Sequence, residues 1–174
     1  VNYFQAATVP IPQDLRLRIL PGRQGCWDTD LVMSSFRMDA QGRFIIGGIG
    51  NLEGPGRAVH MSWARRKLRQ TFPELGDLPF EHDWSGRIAM TGDHIPKILR
   101  FGTSALACFG YSGRGIGPGT TFGTLAAEAL LTGDDTVLPV APVTSHRESF
   151  VPVREAYYEM GAVLTHAVKA RGGA

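Results

Sequence analysis

Six glycines fall within the fourteen residues Gly110 to Gly123, Gly-Tyr-Ser-Gly-Arg-Gly-Ile-Gly-Pro-Gly-Thr-Thr-Phe-Gly, and the helix-forming run Leu125 to Leu131 follows. The strand-like segment Ser104 to Phe109 precedes them, so the order is strand, glycine loop, helix. A loop of this kind leaves backbone N–H groups unpartnered, with the positive end of the helix dipole behind them, and attracts anionic or electron-rich ligand atoms. Missing side chains also let a flat ring lie against the backbone. The dinucleotide fingerprint G-x-G-x-x-G fails in every register: Pro118 stands where the third glycine would follow Gly113 and Gly115, and Thr120 where it would follow Gly115 and Gly117. No Walker A lysine occurs. The competing reading is a non-enzymatic binding or interaction module whose glycine loop is a tight turn needing glycine only for packing.

The elements that must position this loop read as an α+β chain with an antiparallel-rich sheet and flanking helices. Strand-like runs cover Val1 to Ala7, Leu15 to Leu20, Leu31 to Met38 and Arg43 to Gly48, and Asp39 to Gly42 permits a hairpin reversal. Arg57 to Phe72 changes to a helical period, with Val59, Trp63, Leu68 and Phe72 on one face and Arg65, Arg66, Lys67 and Arg69 on a solvated one; Pro73 stops it. Strands return at Phe80 to Met90, Lys97 to Phe101 and Ser104 to Phe109. Gly133-Asp134-Asp135 ends the next helix, Pro139 and Pro142 mark an extended crossing, and Val153 to Val168 forms a closing helix that offers Tyr157, Met160, Ala162 and Leu164 for packing. No repeat or long linker divides the chain. The expected layout is one piece with 1–109 as substrate-domain strands and helix, 110–132 as the glycine loop and its helix, and 133–174 as an extension.

Eighteen Lys+Arg against sixteen Asp+Glu leave a formal charge of +2 over 174 residues, which argues against a nucleic-acid partner. No apolar run approaches the roughly 18 residues of a membrane span, so no membrane partner is expected. Cys26 and Cys108 lie far apart and read as buried small hydrophobes, and His60, His82, His146 and His166 show no metal-ligand spacing. A cytoplasmic setting is expected. Val1 already lies inside a strand-like run, and the expectation is a fragment of a longer protein.

Trp84-Ser85-Gly86-Arg87-Ile88-Ala89-Met90-Thr91-Gly92-Asp93-His94-Ile95-Pro96, then Cys108-Phe109-Gly110-Tyr111-Ser112-Gly113-Arg114-Gly115-Ile116 and the helix behind them, resemble the C-terminal part of FAD-dependent oxidoreductases of the glycine/D-amino acid oxidase family, in particular its gamma-glutamylputrescine oxidase-like branch. The resemblance extends more weakly from about Val1 to Leu131. It implies an FAD cofactor, an amine or amino-acid substrate, hydride transfer from a C–N unit to flavin, and a Rossmann half that lies elsewhere and without which FAD is not held tightly. It places Tyr111, Ser112, Gly113, Arg114, Gly115, Ile116 and Gly117 at the pyrimidine edge of the flavin, with Thr91 and Asp93 shaping the neighbouring loop and Trp84 and Arg114 on the substrate side. The surface left bare by the missing half is expected to self-associate.

Departures from the pattern shape the same expectations. Ile88 stands where a carboxylate-binding arginine precedes the threonine, which weakens the reading as a simple α-amino-acid oxidase. Ile88-Ala89-Met90 offers no cysteine for a flavin linkage, so noncovalent FAD is expected. Gly117 replaces the lysine that sarcosine oxidase relatives carry, which leaves the electron acceptor open. No catalytic residue is assigned. Arg114 is read as binding a substrate carboxylate or flavin carbonyl, or as pairing with Asp93; Trp84 as lining the substrate side or as core; and His94 as solvated more readily than as a base.

Overall fold

The computed structural model describes residues 1–169, which form two units, Val1–Arg87 with Pro152 onward and Ile88–Val151. The first is built on five antiparallel strands, β1 (Asn2–Pro10), β2 (Cys26–Trp27), β3 (Ser35–Met38), β4 (Arg43–Ile49) and β5 (Phe80–Arg87), in the order β2-β3-β4-β1-β5. β1 is an interior strand, its Tyr3 opposite Ile49 of β4 on one side and Gly86 of β5 on the other. Alternation puts Phe4, Ala6 and Thr8 on one face, all buried. Buried Thr8 is satisfied, because its hydroxyl donates to Val9 O and accepts from Phe44 N at 3.0 Å. The β3–β4 hairpin closes at Asp39–Gly42 as the sequence predicts, with the Asp39 carboxylate accepting from Arg43 N at 2.8 Å and Gly42 at φ +81°.

Helix α2 (Arg57–Thr71) buries His60, Trp63, Ala64 and Leu68 in a core shared with Phe4, Phe44, Ile46 and Leu75. Pro73 follows it and opens a single 3₁₀ turn. Its basic face is not merely solvated. Lys67 pairs with Asp28 and Asp30, Arg69 with Asp77, Arg66 donates to Ser62 Oγ and His166 O, and Arg65 lies over the Phe80 ring. The last helix, here called α4 (Val151–Val168), buries Ala162 and His166; Tyr157, Met160 and Leu164, expected to pack, are exposed.

Leu15 to Leu20 is not a strand. Pro12 leads into the short helix α1 (Gln13–Arg16), Arg16 Nε donates to Ile11 O at 2.7 Å, and Leu20 sits at φ +51°. Ile11 before the helix and Ile19 after it are buried in the core, and Leu15 within it packs against that core. Leu31 to Ser34 is a loop held by Asp28, whose carboxylate accepts from Asp30 N, Ser34 N and the Ser34 hydroxyl.

The second unit holds the antiparallel pair β6 (Lys97–Phe101) and β7 (Ala105–Phe109), and α3 (Ile116–Thr132), which buries Phe122, Ala126 and Ala129 along one stripe. Gly133, at φ +73°, ends α3 by donating to Ala129 O at 2.9 Å. The helix starts nine positions before the expected Leu125, because packing of Phe122 on Tyr111 outweighs the poor helix propensity of Gly117, Gly119 and Gly123. β5 stops at Arg87, and Met90 makes only an isolated bridge to Tyr111. Among the described residues no helix is long and apolar enough to cross a membrane.

Candidate functional site

Two short segments of the second unit lie side by side, the turn Thr91–Ile95 and the loop Gly110–Gly115. The Met90–Tyr111 bridge and the bond from Ser112 N to Ala89 O (3.3 Å) fix their register. Gly110 is the point of closest approach: it is buried at φ +81°, and a Cβ there would lie 2.6 Å from Thr91 Cγ2. Buried Thr91 closes its own turn by donating Oγ1–H to Ile95 O at 3.1 Å.

Asp93 accepts from Ile95 N at 3.0 Å through one oxygen and from Lys97 Nζ through the other. The Lys97 hydrogen bond, followed by that from Ile95 N, holds its carboxyl well below the usual carboxylate range. Lys97, four residues on, therefore takes the place open to Arg114 in the sequence. The Arg114 N–H donates to Tyr111 O at 3.0 Å while its side chain is exposed. His94 stands exposed at the turn's tip with φ +57°.

Ser112 (φ +52°) and Gly113 (φ +89°) turn the chain sharply into α3. The helix starts without a side-chain cap, and among the described residues no acceptor pairs with the N–H of Gly113, Gly115, Ile116 or Gly117. The positive end of a 17-residue helix is thus bare. Gly117 has nothing within 4 Å of where a Cβ would be, and Ile116 is 92% exposed. Tyr111, by contrast, is an anchor: its ring packs edge-on against Phe122 at 5.6 Å, and burial pushes its hydroxyl pKa up.

Thr91, Asp93 and Tyr111 to Gly117 therefore come together in one unit. Trp84 belongs to the other, on β5 opposite Gln5, and at 43% exposure is not a core residue. Cys26 and Cys108 are free and half-buried, less enclosed than expected. The sequence reading missed Glu148, whose two oxygens each lie 3.1 Å from Gly92 N, with His146 Nε2 at 2.9 Å from Oε1. Fifty-six positions separate Glu148 from Gly92, and no local motif links them.

The profile of the DAO family, described as FAD dependent oxidoreductase, matches residues 3–129, and the chain belongs to that family. FAD is the family's cofactor. The chain is 28% identical over 140 residues to a probable oxidoreductase OrdL of Haemophilus influenzae, a match covering 80% of this chain and 31% of that protein. It is 28% identical over 129 residues to the gamma-glutamylputrescine oxidoreductase of Escherichia coli, covering 73% and 30%. The chain thus spans about a third of the length of these curated relatives. No solved structure matches it. The second unit's residues fit the cofactor: unpaired N–H donors at a bare helix N-terminus suit the electron-rich edge of a flavin ring, and the open side of Gly117 leaves room for its plane.

Proposed function

We propose that this chain is the C-terminal portion of an FAD-dependent oxidoreductase that oxidises a C–N bond of an amine or N-substituted amino acid, with Tyr111 to Gly117 meeting the pyrimidine edge of a noncovalently held flavin. The observation that carries the reading is the row of unpaired N–H groups at Gly113, Gly115, Ile116 and Gly117 where α3 begins. Bound FAD supplies the acceptor for the substrate's C–H hydrogen and both its electrons, while the nitrogen lone pair closes the C=N bond.

The contribution of this chain is electrostatic and positional. The bare helix terminus favours the negative charge that gathers on the pyrimidine side during reduction, and the donors are already in place before it appears. Thr91 and Asp93 hold the adjoining turn, and exposed Arg114 is assigned to a substrate carboxylate or a flavin carbonyl. Support for an amine substrate comes from the relative named for gamma-glutamylputrescine.

The pyrophosphate and adenosine contacts are assigned to a Rossmann portion outside this chain. A few hydrogen bonds worth about 0.5–1.5 kcal/mol each do not offset an association cost of several kcal/mol, so the chain alone holds FAD weakly. Its exposed apolar residues, Ile116 among them, favour self-association. The test is paired. The full-length protein should be yellow and bleached by one of a panel of amines, and FAD titrated into the 174-residue chain should show no saturable change in flavin fluorescence at micromolar concentrations. A colourless full-length protein would overturn the flavin reading; micromolar binding by the chain alone would overturn the need for a second portion.

A further inference from the structure

We propose that Glu148 is a positioning residue for the loop that meets the flavin: its carboxylate clamps the Thr91–Asp93 turn, and through that turn fixes Gly110 at the root of the glycine loop. The clamp itself is a matter of geometry within one unit; its consequence for the cofactor rests on the reading given above.

The chain reaches Glu148 along a pinned path. After α3 the Arg100 guanidinium bonds the Asp135 carboxylate, and Val143 then runs parallel to β6, donating to Ile98 O at 2.8 Å and accepting from Arg100 N at 2.9 Å. The His146 ring follows, 5.4 Å from that of Phe109 on β7. Glu148 thus arrives at the turn from an anchored strap.

What it meets there is the donor the turn cannot satisfy by itself. His94 N bonds back to Thr91 O (3.3 Å), which makes Gly92 the second residue of a turn whose own carbonyls do not reach that residue's N–H. Asp93 takes Ile95 N and Thr91 takes Ile95 O, and the Gly92 N–H points midway between the two Glu148 oxygens. This bond is charge-assisted, and His146 Nε2, 2.9 Å from Oε1, holds the same carboxylate. Thr91 next door is the residue on which Gly110 rests. Glu148 lies beyond residues 3–129 that match the family profile, so the clamp is supplied by the chain that follows the shared region.

Hydrogen exchange on the 174-residue chain tests the clamp without any cofactor. Glu148→Ala should raise exchange about tenfold in peptides covering 91–95 and at the bonded amides of Ser112 and Arg114, while peptides covering β1 and β4 keep wild-type rates and so report an intact fold. Glu148→Gln keeps an acceptor oxygen for Gly92 and should stay within about threefold of wild type. Faster exchange confined to 139–149 in Glu148→Ala, with both loops unchanged, would overturn the proposal. In the full-length flavoprotein Glu148→Ala should also raise the FAD dissociation constant about tenfold, and Glu148→Gln should restore it. Loosened loops with unchanged FAD affinity would support the clamp and overturn the placement of the glycine loop at the flavin.

Discussion

His60 and His166, 106 positions apart, face each other through their Nδ1 atoms at 2.8 Å in the interior of the first unit, where neither ring has exposed surface. His60 Nε2 lies 2.9 Å from Glu159 Oε1, and His166 stacks on Trp63 at 3.9 Å between ring centres. With Glu159 ionised, His60 donates from Nε2, its Nδ1 is left as an acceptor, and His166 donates into it. One proton makes the bond between the rings; two charged rings break it.

The first prediction is the pH dependence of stability. Burial, then the neighbouring charges of His60 and Arg66 on α2, lowers the His166 pKa to about 3; Glu159 on α4 reaches the pair through His60, and Phe4 of β1 packs on both rings. An unfolded histidine takes its proton near pH 6.5. Between about 6.5 and 3 the unfolded chain binds more protons, so stability is full above pH 6.5 and is lost as pH falls through that window, by up to a few kcal/mol. Urea midpoints at pH 7, 5.5 and 4.5 measure the loss. His166→Phe keeps an aromatic ring on Trp63 and should flatten the slope by half or more, at some cost in stability at pH 7; an unaltered slope would place the titrating group elsewhere.

The second concerns the contact at the root of the loop. Gly110→Ala should destabilise the chain by about 2 kcal/mol, because φ +81° and the 2.6 Å approach to Thr91 Cγ2 both oppose a side chain. Thr91→Ser removes that methyl and keeps the hydroxyl for Ile95 O. The cost of Gly110→Ala should therefore shrink by about 0.5–1 kcal/mol in the Thr91→Ser background. Strict additivity in denaturant unfolding would rule out the packing account.

Third, Gly117→Val should separate stability from binding. Open space surrounds the missing Cβ and the backbone is not left-handed, so the melting temperature should hardly move. A branched side chain on the open face should nevertheless weaken FAD in the full-length protein at least tenfold. A stable variant with wild-type FAD affinity would show that no ring approaches this position.

Fourth, Arg114→Ala should leave stability unchanged, since the side chain is exposed. If its partner is the substrate, KM for a carboxylate-bearing amine rises about tenfold while a carboxylate-free amine is unaffected. Equal loss for both, with looser FAD, assigns it to a flavin carbonyl.

Local pattern carried much of this architecture. The β3–β4 hairpin, α2 and its stop at Pro73, and the Gly133 end of α3 were all legible, because each is decided by neighbouring residues. Leu15 to Leu20 misled because Leu15, Leu17 and Ile19 alternate as a strand would, whereas Leu17 is exposed and the chain turns helically here. The early start of α3 was hidden by glycines whose propensity argues against helix, and only Phe122 meeting Tyr111 overrides it. At the site, the glycine loop announced itself, but the choice of Lys97 over Arg114 as the partner of Asp93 is a matter of reach. Gly92 with Glu148, His60 with His166, and the basic face of α2 with Asp28, Asp30 and Asp77 depend on which distant segments return, and no spacing in the chain encodes that.

The first unit is discontinuous: the chain leaves it after Arg87 and re-enters at Pro152. During synthesis His60 emerges long before His166, so the imidazole pair and the His166 cover on Trp63 form only once α4 is made. The second unit is one uninterrupted stretch with closer pairings, and closing it requires shorter loops. The glycine loop and its clamp thus lie wholly in a stretch that is complete before the segment that finishes the first unit begins.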